Sequence, residues 1–172
     1  MWRLTCRCVR ALDRAFLISA EKALTMRAIF NILAISGSGM FAGVMLAIGM
    51  ILGNYWKSLP PETFFDAFSQ NSRFIMSAVP LVVIPTAVGL IGSLWLGFSD
   101  GRSRTLWLIA LACFAAVIAL TGAYYVPVNA EFATKSVPPD QVMAKLDAWL
   151  MIHNVRIGLA AIASALGLLA LM

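Results

Sequence analysis

The chain has 172 residues, 61% of them hydrophobic and only 12% charged, with a formal net charge of +5. Its apolar residues gather into blocks long enough to cross a bilayer, a crossing taking about 20 residues of helix, so the chain reads as an integral membrane protein and not as a soluble domain. The positive charge falls in the segments between the blocks; without a basic surface interleaved with aromatics it gives no support to nucleic-acid binding.

Residues 1–27 come first. Arg3, Arg7, Arg10 and Arg14 recur at helical spacing on one face, with Trp2, Val9, Leu12 and Phe16 on another. This pattern predicts an amphipathic helix in the cytoplasmic interface, its apolar side at the acyl boundary and its arginines toward anionic headgroups. The rival reading is a contact helix for a partner protein. A long charged region ahead of the first apolar block, with no convincing small-residue cleavage site after it, is unlike a cleaved signal peptide; Met26 is an alternative start. Cys6 and Cys8 fall in this segment and Cys113 in the third apolar block, where no disulfide is expected.

Residues 28–172 form one domain with four predicted spans, at about 28–53, 74–98, 106–127 and 149–172. The connections are too short to fold alone and no alternating strand pattern is present, so the fold class is all-α, a four-helix membrane bundle with the N-terminal interfacial helix attached. Span one is rich in small residues. Gly39 with Gly43, and Gly49 with Gly53, are four apart and predict close helix packing. Span two contains Pro80 and Pro85 and should bend. The two connections on one side resemble each other, Lys57-Ser58-Leu59-Pro60-Pro61-Glu62 and Lys135-Ser136-Val137-Pro138-Pro139-Asp140, at an offset of 78. Either the two hairpins are parallel repeats, or proline simply starts a helix in both places. In both cases helix should begin near Pro61 and Pro139.

Orientation follows from Lys and Arg. Six lie in the first 27 residues, and Arg102 and Arg104 lie between spans two and three; the other side has only Lys57, Arg73, Lys135 and Lys145. Both termini are therefore expected in the cytoplasm, in a membrane of the bacterial inner-membrane type. The external half then collects the unusual polar residues: Asn71 and Arg73 at span two, Asn129 at the end of span three, His153 and Arg156 at the start of span four. Trp149, His153 and Arg156 recur at i, i+4 and i+7, one stripe of a helix. Ionisable groups at that depth are costly and point to a functional site, unless they lie in the headgroup layer and snorkel outward. Arg156 requires partners, and Asn129 or Asp147 stand nearest by topology. One histidine, with no cysteine pair or carboxylate cluster in the membrane, does not supply the ligands of a protein-held metal.

These residues give the chain its resemblance to the anthrone-oxygenase-like membrane proteins, over roughly residues 30–172. The resemblance rests on Pro127-x-Asn129, on Trp149-x-x-x-His153-x-x-Arg156, on Gly39-x-x-x-Gly43, and on the Leu-Pro-Pro stretch leading to Asn71. At Ala130 the chain departs from the family, which often carries a second polar residue after the asparagine. The resemblance implies a four-helix bundle that oxygenates an anthrone to an anthraquinone without metal or flavin. His153 would be the base, Arg156 and Asn129 would hold the oxyanion, and Trp149 would stack on the planar ring, with Asn71 and Tyr125 as further substrate contacts. The same groups would suit a quinone or quinol. The alternative function is a non-catalytic accessory or scaffold subunit, or a homo-oligomer, that uses the N-terminal helix and the Gly39 and Gly43 face as contact surfaces.

Overall fold

The computed structural model describes the backbone from residue 2 and the side chains from residue 21. The first helix, α1, runs from Trp2 to Ala47; the arginine face expected on residues 3–14 lies outside the described side chains. A π-helical turn at Ile48–Leu52 leads into α2 (Gly53–Lys57), then α3 (Pro61–Leu96), α4 (Gly101–Leu120), a second π turn at Thr121–Tyr125, α5 (Val126–Ala133), a 3-10 turn at Pro139–Gln141, and α6 (Val142–Leu169). Among the described residues there is no strand. The helices join end to end into four rods, Glu21–Lys57, Pro61–Leu96, Gly101–Ala133 and Pro139–Leu169, each long and apolar enough to cross a membrane. The protein is an all-α integral membrane four-helix bundle.

The rods exceed what the bilayer requires. At about 1.5 Å per residue, the shortest, of 31 residues, is roughly 45 Å long against a hydrocarbon core of about 30 Å. The surplus on one side carries Pro61–Arg73 and the stretch following Pro139, as expected from the two Pro-Pro pairs. Proline suits a first helical turn because its missing N–H would have no partner there. At the opposite end Asp100 caps α4, its carboxylate accepting from the backbone N–H groups of Arg102 (3.3 Å) and Ser103 (3.1 Å). Helix α3 continues through both internal prolines.

Small residues set the helix approaches, at Gly49 and Gly53 against α6, where a Cβ would meet His153 at 3.1 Å and Leu150 at 2.7 Å, and also at positions the spacing did not mark. A Cβ on Gly89 would collide with the α1 backbone at Leu33 and Ala34, one on Gly37 with Thr86, and one on Gly92 with the ring of Phe30. These three lock α1 against α3. Gly167 lies 3.1 Å, measured to its would-be Cβ, from the indole of Trp107. Gly39 and Gly43 behave differently. Gly43 faces open space and Gly39 comes near only the Ser164 hydroxyl, at 3.3 Å, so the Gly39-x-x-x-Gly43 pair is not an intramolecular packing seam. The helical period shows why: Gly89 and Gly92 face α1 from α3, whereas Gly39 and Gly43 share the outward face of α1.

Both hairpins show the same order of rod, π turn, short helix, Lys-Ser-x-Pro-Pro and long helix. The π turns begin at Ile48 and Thr121, 73 residues apart. The difference from the offset of 78 is taken up by α5, eight residues against five in α2, and by a longer loop. That loop closes with Lys135 at φ 55°, where Ser136 N–H reaches the Glu131 carbonyl (3.0 Å) and Lys135 N–H that of Phe132 (3.2 Å), a Schellman closure in which the left-handed residue is a lysine.

Candidate functional site

The two π turns and the start of the α6 membrane segment converge on one cavity of about 120 Å³. A π turn is a single extra residue accommodated by i+5 bonding: Gly53 N–H donates to the Ile48 carbonyl, and Val126 N–H to that of Thr121. Such turns recur at functional sites because they re-aim the side chains around them. Here Met45 and Ile48 approach from the first rod, Thr121 and Tyr125 from the third, and His153 and Arg156 from α6.

His153 is 1% exposed. Its Nε2 lies 2.7 Å from the main-chain carbonyl of Met45, an acceptor only, so Nε2 carries the proton and donates. In the neutral imidazole, Nδ1 then holds the free lone pair, and Nδ1 is buried with no partner. Gly49, one helical turn beyond Met45, makes room for the ring, since a Cβ there would come 3.1 Å from His153 Cδ2. On its other side the imidazole stacks on the Trp149 indole, 4.8 Å between centroids and 13° between planes. One face of Trp149 is therefore taken by histidine. The indole Nε1–H donates to Asn129 Oδ1 at 2.9 Å.

Arg156 is 6% exposed and pairs with no carboxylate among the described residues, whose ion pairs are Lys57 with Asp147, Lys135 with Asp66, and Lys145 with Glu131, all near the surface. Asp147 and Asn129, the partners expected for Arg156, are thus engaged by Lys57 and Trp149. The guanidinium instead lies over the ring of Tyr125, 4.1 Å from its centroid, an attraction of about 2 kcal/mol when desolvated, and its Nη2 donates to the Met45 thioether at 3.4 Å. Tyr125 is held in turn, its hydroxyl donating to the Trp149 carbonyl at 3.1 Å. The Nε–H of Arg156 is buried and unpaired, as is the Nε1–H of Trp56. Two unpaired donors and one unpaired acceptor thus belong to residues of the same wall. Native structures leave few such groups.

The structure brings His153, Arg156, Asn129, Trp149 and Tyr125 to this cavity; Asn71 does not line it, and its neighbour Ser72 does. One residue of register on α3 accounts for this, because successive helical side chains point about 100° apart. Among the described residues there is no group of three side chains able to hold a metal.

A sequence model described as anthrone oxygenase matches residues 64–166, well over half of the chain. The chain belongs to the anthrone oxygenase family. No curated protein and no solved structure matches it. The family match takes in Asn129, Trp149, His153 and Arg156, whereas Met45, Gly49 and Trp56 come from the rod that precedes it. For identifiable reasons, nothing in the sequence marks the first and last of these. Met45 acts through a main-chain carbonyl, which no side chain announces, and Trp56 is one aromatic among several near the ends of the spans, with no spacing that singles it out. Gly49 carried a signal, its four-residue spacing to Gly53, but the spacing pointed to helix contact in general and not to the imidazole.

Proposed function

We propose that this protein oxygenates a planar aromatic ketone of the anthrone type, using the side chains of the cavity and molecular oxygen. The observation that carries the reading is a buried arginine with no carboxylate partner among the described residues beside a histidine whose unprotonated nitrogen is unpaired. A cationic, water-poor site with free N–H donors favours a ligand that becomes an anion during the reaction. An anthrone becomes one on losing a proton from the carbon opposite its carbonyl. His153 Nδ1 takes that proton, and the enolate oxygen accepts from Arg156 Nε–H and Trp56 Nε1–H. Asn129, fixed by Trp149, completes the polar wall. The electron-rich enolate carbon gives its electrons to oxygen and forms a carbon–oxygen bond, and the peroxide anion takes back the proton held by His153. The resulting hydroperoxide loses its remaining C–H proton and hydroxide, leaving the quinone. One oxygen molecule is consumed, one oxygen atom enters the product, and the other leaves as water. A quinol or quinone head group has the same planar shape and oxygen acceptors, and is the alternative ligand for this wall.

The excess of lysine and arginine on one side supports a reading with both termini in the cytoplasm of a bacterial inner-membrane setting, in which the cavity belongs to the external half of the bilayer. The accessory-subunit reading draws on a separate observation, the outward and unpacked face at Gly39 and Gly43.

The test is oxygen uptake by the full chain in lipid vesicles supplied with anthrone. The expected result is consumption matched one to one by anthraquinone, lost in His153→Ala while the helical spectrum is retained. Uptake at the uncatalysed rate in the native protein, or equal uptake in His153→Ala, overturns the assignment.

A further inference from the structure

We propose that the cavity opens sideways into the hydrocarbon, through a seam between α3 and the Thr121–Asn129 stretch, so that the site takes its ligand from the bilayer and not from water. The proposal rests on the reading of this cavity as a ligand site.

The aqueous end is closed. Phe64 and Phe132 meet edge to face at 5.0 Å, Phe68 lies 5.0 Å from Phe132 and 4.8 Å from Trp56, and Trp56 lies 5.8 Å from Trp149. Every one of these rings is buried. They form an aromatic layer, each ring in contact with the next, between the cavity and the polar segments that carry the surface ion pairs.

The lateral wall differs. The lining residues that are not buried are Ser72, Ile75, Met76 and Val79 on α3, with Thr121 and Asn129 opposite. Met76 reaches into the cavity lining and is also 63% exposed, which places it on the rim. The outward surface around it is apolar: Phe74, Leu81 and Ile84 are all exposed, whereas the polar run Gln70 to Arg73 ends just before. The rim therefore begins at the edge of the hydrocarbon and extends inward. Pro80 sits four residues after Met76 and has no N–H to give to the Met76 carbonyl, so the helix lacks a rung where the seam would widen. A ligand entering here is a flat apolar molecule with a polar oxygen end, led inward past Asn129 toward Arg156.

The probes are two anthraquinones with opposite solubility: one carrying a long alkyl chain that anchors it in the bilayer, the other a sulfonate that holds it in water. Binding is read from quenching of Trp56 and Trp149, using the full chain with Trp2→Phe and Trp95→Phe in vesicles; the Trp95 ring is 78% exposed and would otherwise report free probe, while the remaining tryptophan, Trp107, is buried away from the cavity lining and adds a constant background. The expected result is saturable quenching by the alkylated probe, its chain trailing through the seam, and none by the sulfonate. Val79→Phe at the rim should slow the approach to saturation about tenfold, with unchanged helicity and melting temperature. Binding of the sulfonate with exclusion of the alkylated probe overturns the proposal, as does an alkylated probe that binds at the same rate in Val79→Phe, or one that never quenches. The readout needs no turnover. Quenching without oxygen uptake would leave the lateral entrance standing and remove the oxygenase reading, and uptake with a sulfonate-accessible site would do the reverse.

Discussion

At the residue scale the site is a set of pairings that fix His153 and Arg156 while leaving one nitrogen of each free. Gly49 shows how little tolerance this leaves. In Gly49→Ala the new methyl meets His153 Cδ2 at 3.1 Å, tighter than ordinary contact, so the ring must shift from the Met45 carbonyl. We expect turnover to fall about tenfold or more, since misplacement by an ångström costs on the order of 100-fold, with thermal unfolding little changed; assay and melt on one sample check it. Arg156→Lys keeps the charge but loses the planar contact with Tyr125 and the Nε–H. Removing one donor to an oxyanion costs about 100- to 1,000-fold in rate, and a point charge does not replace a planar fork, so a loss of that order in kcat is expected; unchanged kcat would show that only charge is used. Asn129→Leu strands the buried Trp149 Nε1–H, at about 1–3 kcal/mol. The pair Asn129→Leu with Trp149→Phe should recover part of that loss in unfolding measurements, because no donor is then left unpaired.

Elements were the most legible level, for a physical reason. A bilayer demands satisfied backbone and a minimum apolar length, so span number and class can be read from hydrophobic blocks alone, and helix starts at Pro61 and Pro139 from turn chemistry. Register between helices is set by which side chains interlock, and composition does not contain it. The glycines illustrate the gap: a four-residue spacing marked Gly39 and Gly43, while the tight approach to α1 falls at Gly89 and Gly92, three apart on α3. Gly89→Leu should therefore prevent α1 and α3 from docking and abolish recovery of folded protein. Gly43→Leu should leave the melting temperature within a few degrees of the native value. If Gly43→Leu instead disperses a native assembly seen by size exclusion, that face binds another chain. The π turns were illegible as well, because an extra residue in a helix leaves the sequence continuous.

For the molecule as a whole, the site was legible where it used ionisable groups in an apolar helix, and illegible where it used backbone or common aromatics. Hence the sequence marked His153, Arg156, Asn129, Trp149 and Tyr125 as candidates, all of which line this cavity, and left Met45 and Trp56, which line it too, unmarked. The surface ion pairs tie α2 to α6, the α5 loop to α3, and α5 to α6. Exposed pairs of this sort are worth about 0–1 kcal/mol each, so Lys57→Ala and Lys135→Ala should lower stability by no more than that, and high salt should change the unfolding midpoint little. Orientation has its own check: a reporter fused to the C-terminus should be active only as a cytoplasmic fusion, and activity of a periplasm-dependent reporter there would invert the topology. Finally, on the proposed oxygenase reading with its lateral entrance, the closed aromatic layer and the apolar rim around Met76 bear on the supply of the second reactant. Dioxygen dissolves more readily in hydrocarbon than in water, so a chamber that communicates with the acyl chains shares the larger reservoir of the gas, and the membrane itself becomes the feedstock for both halves of the reaction.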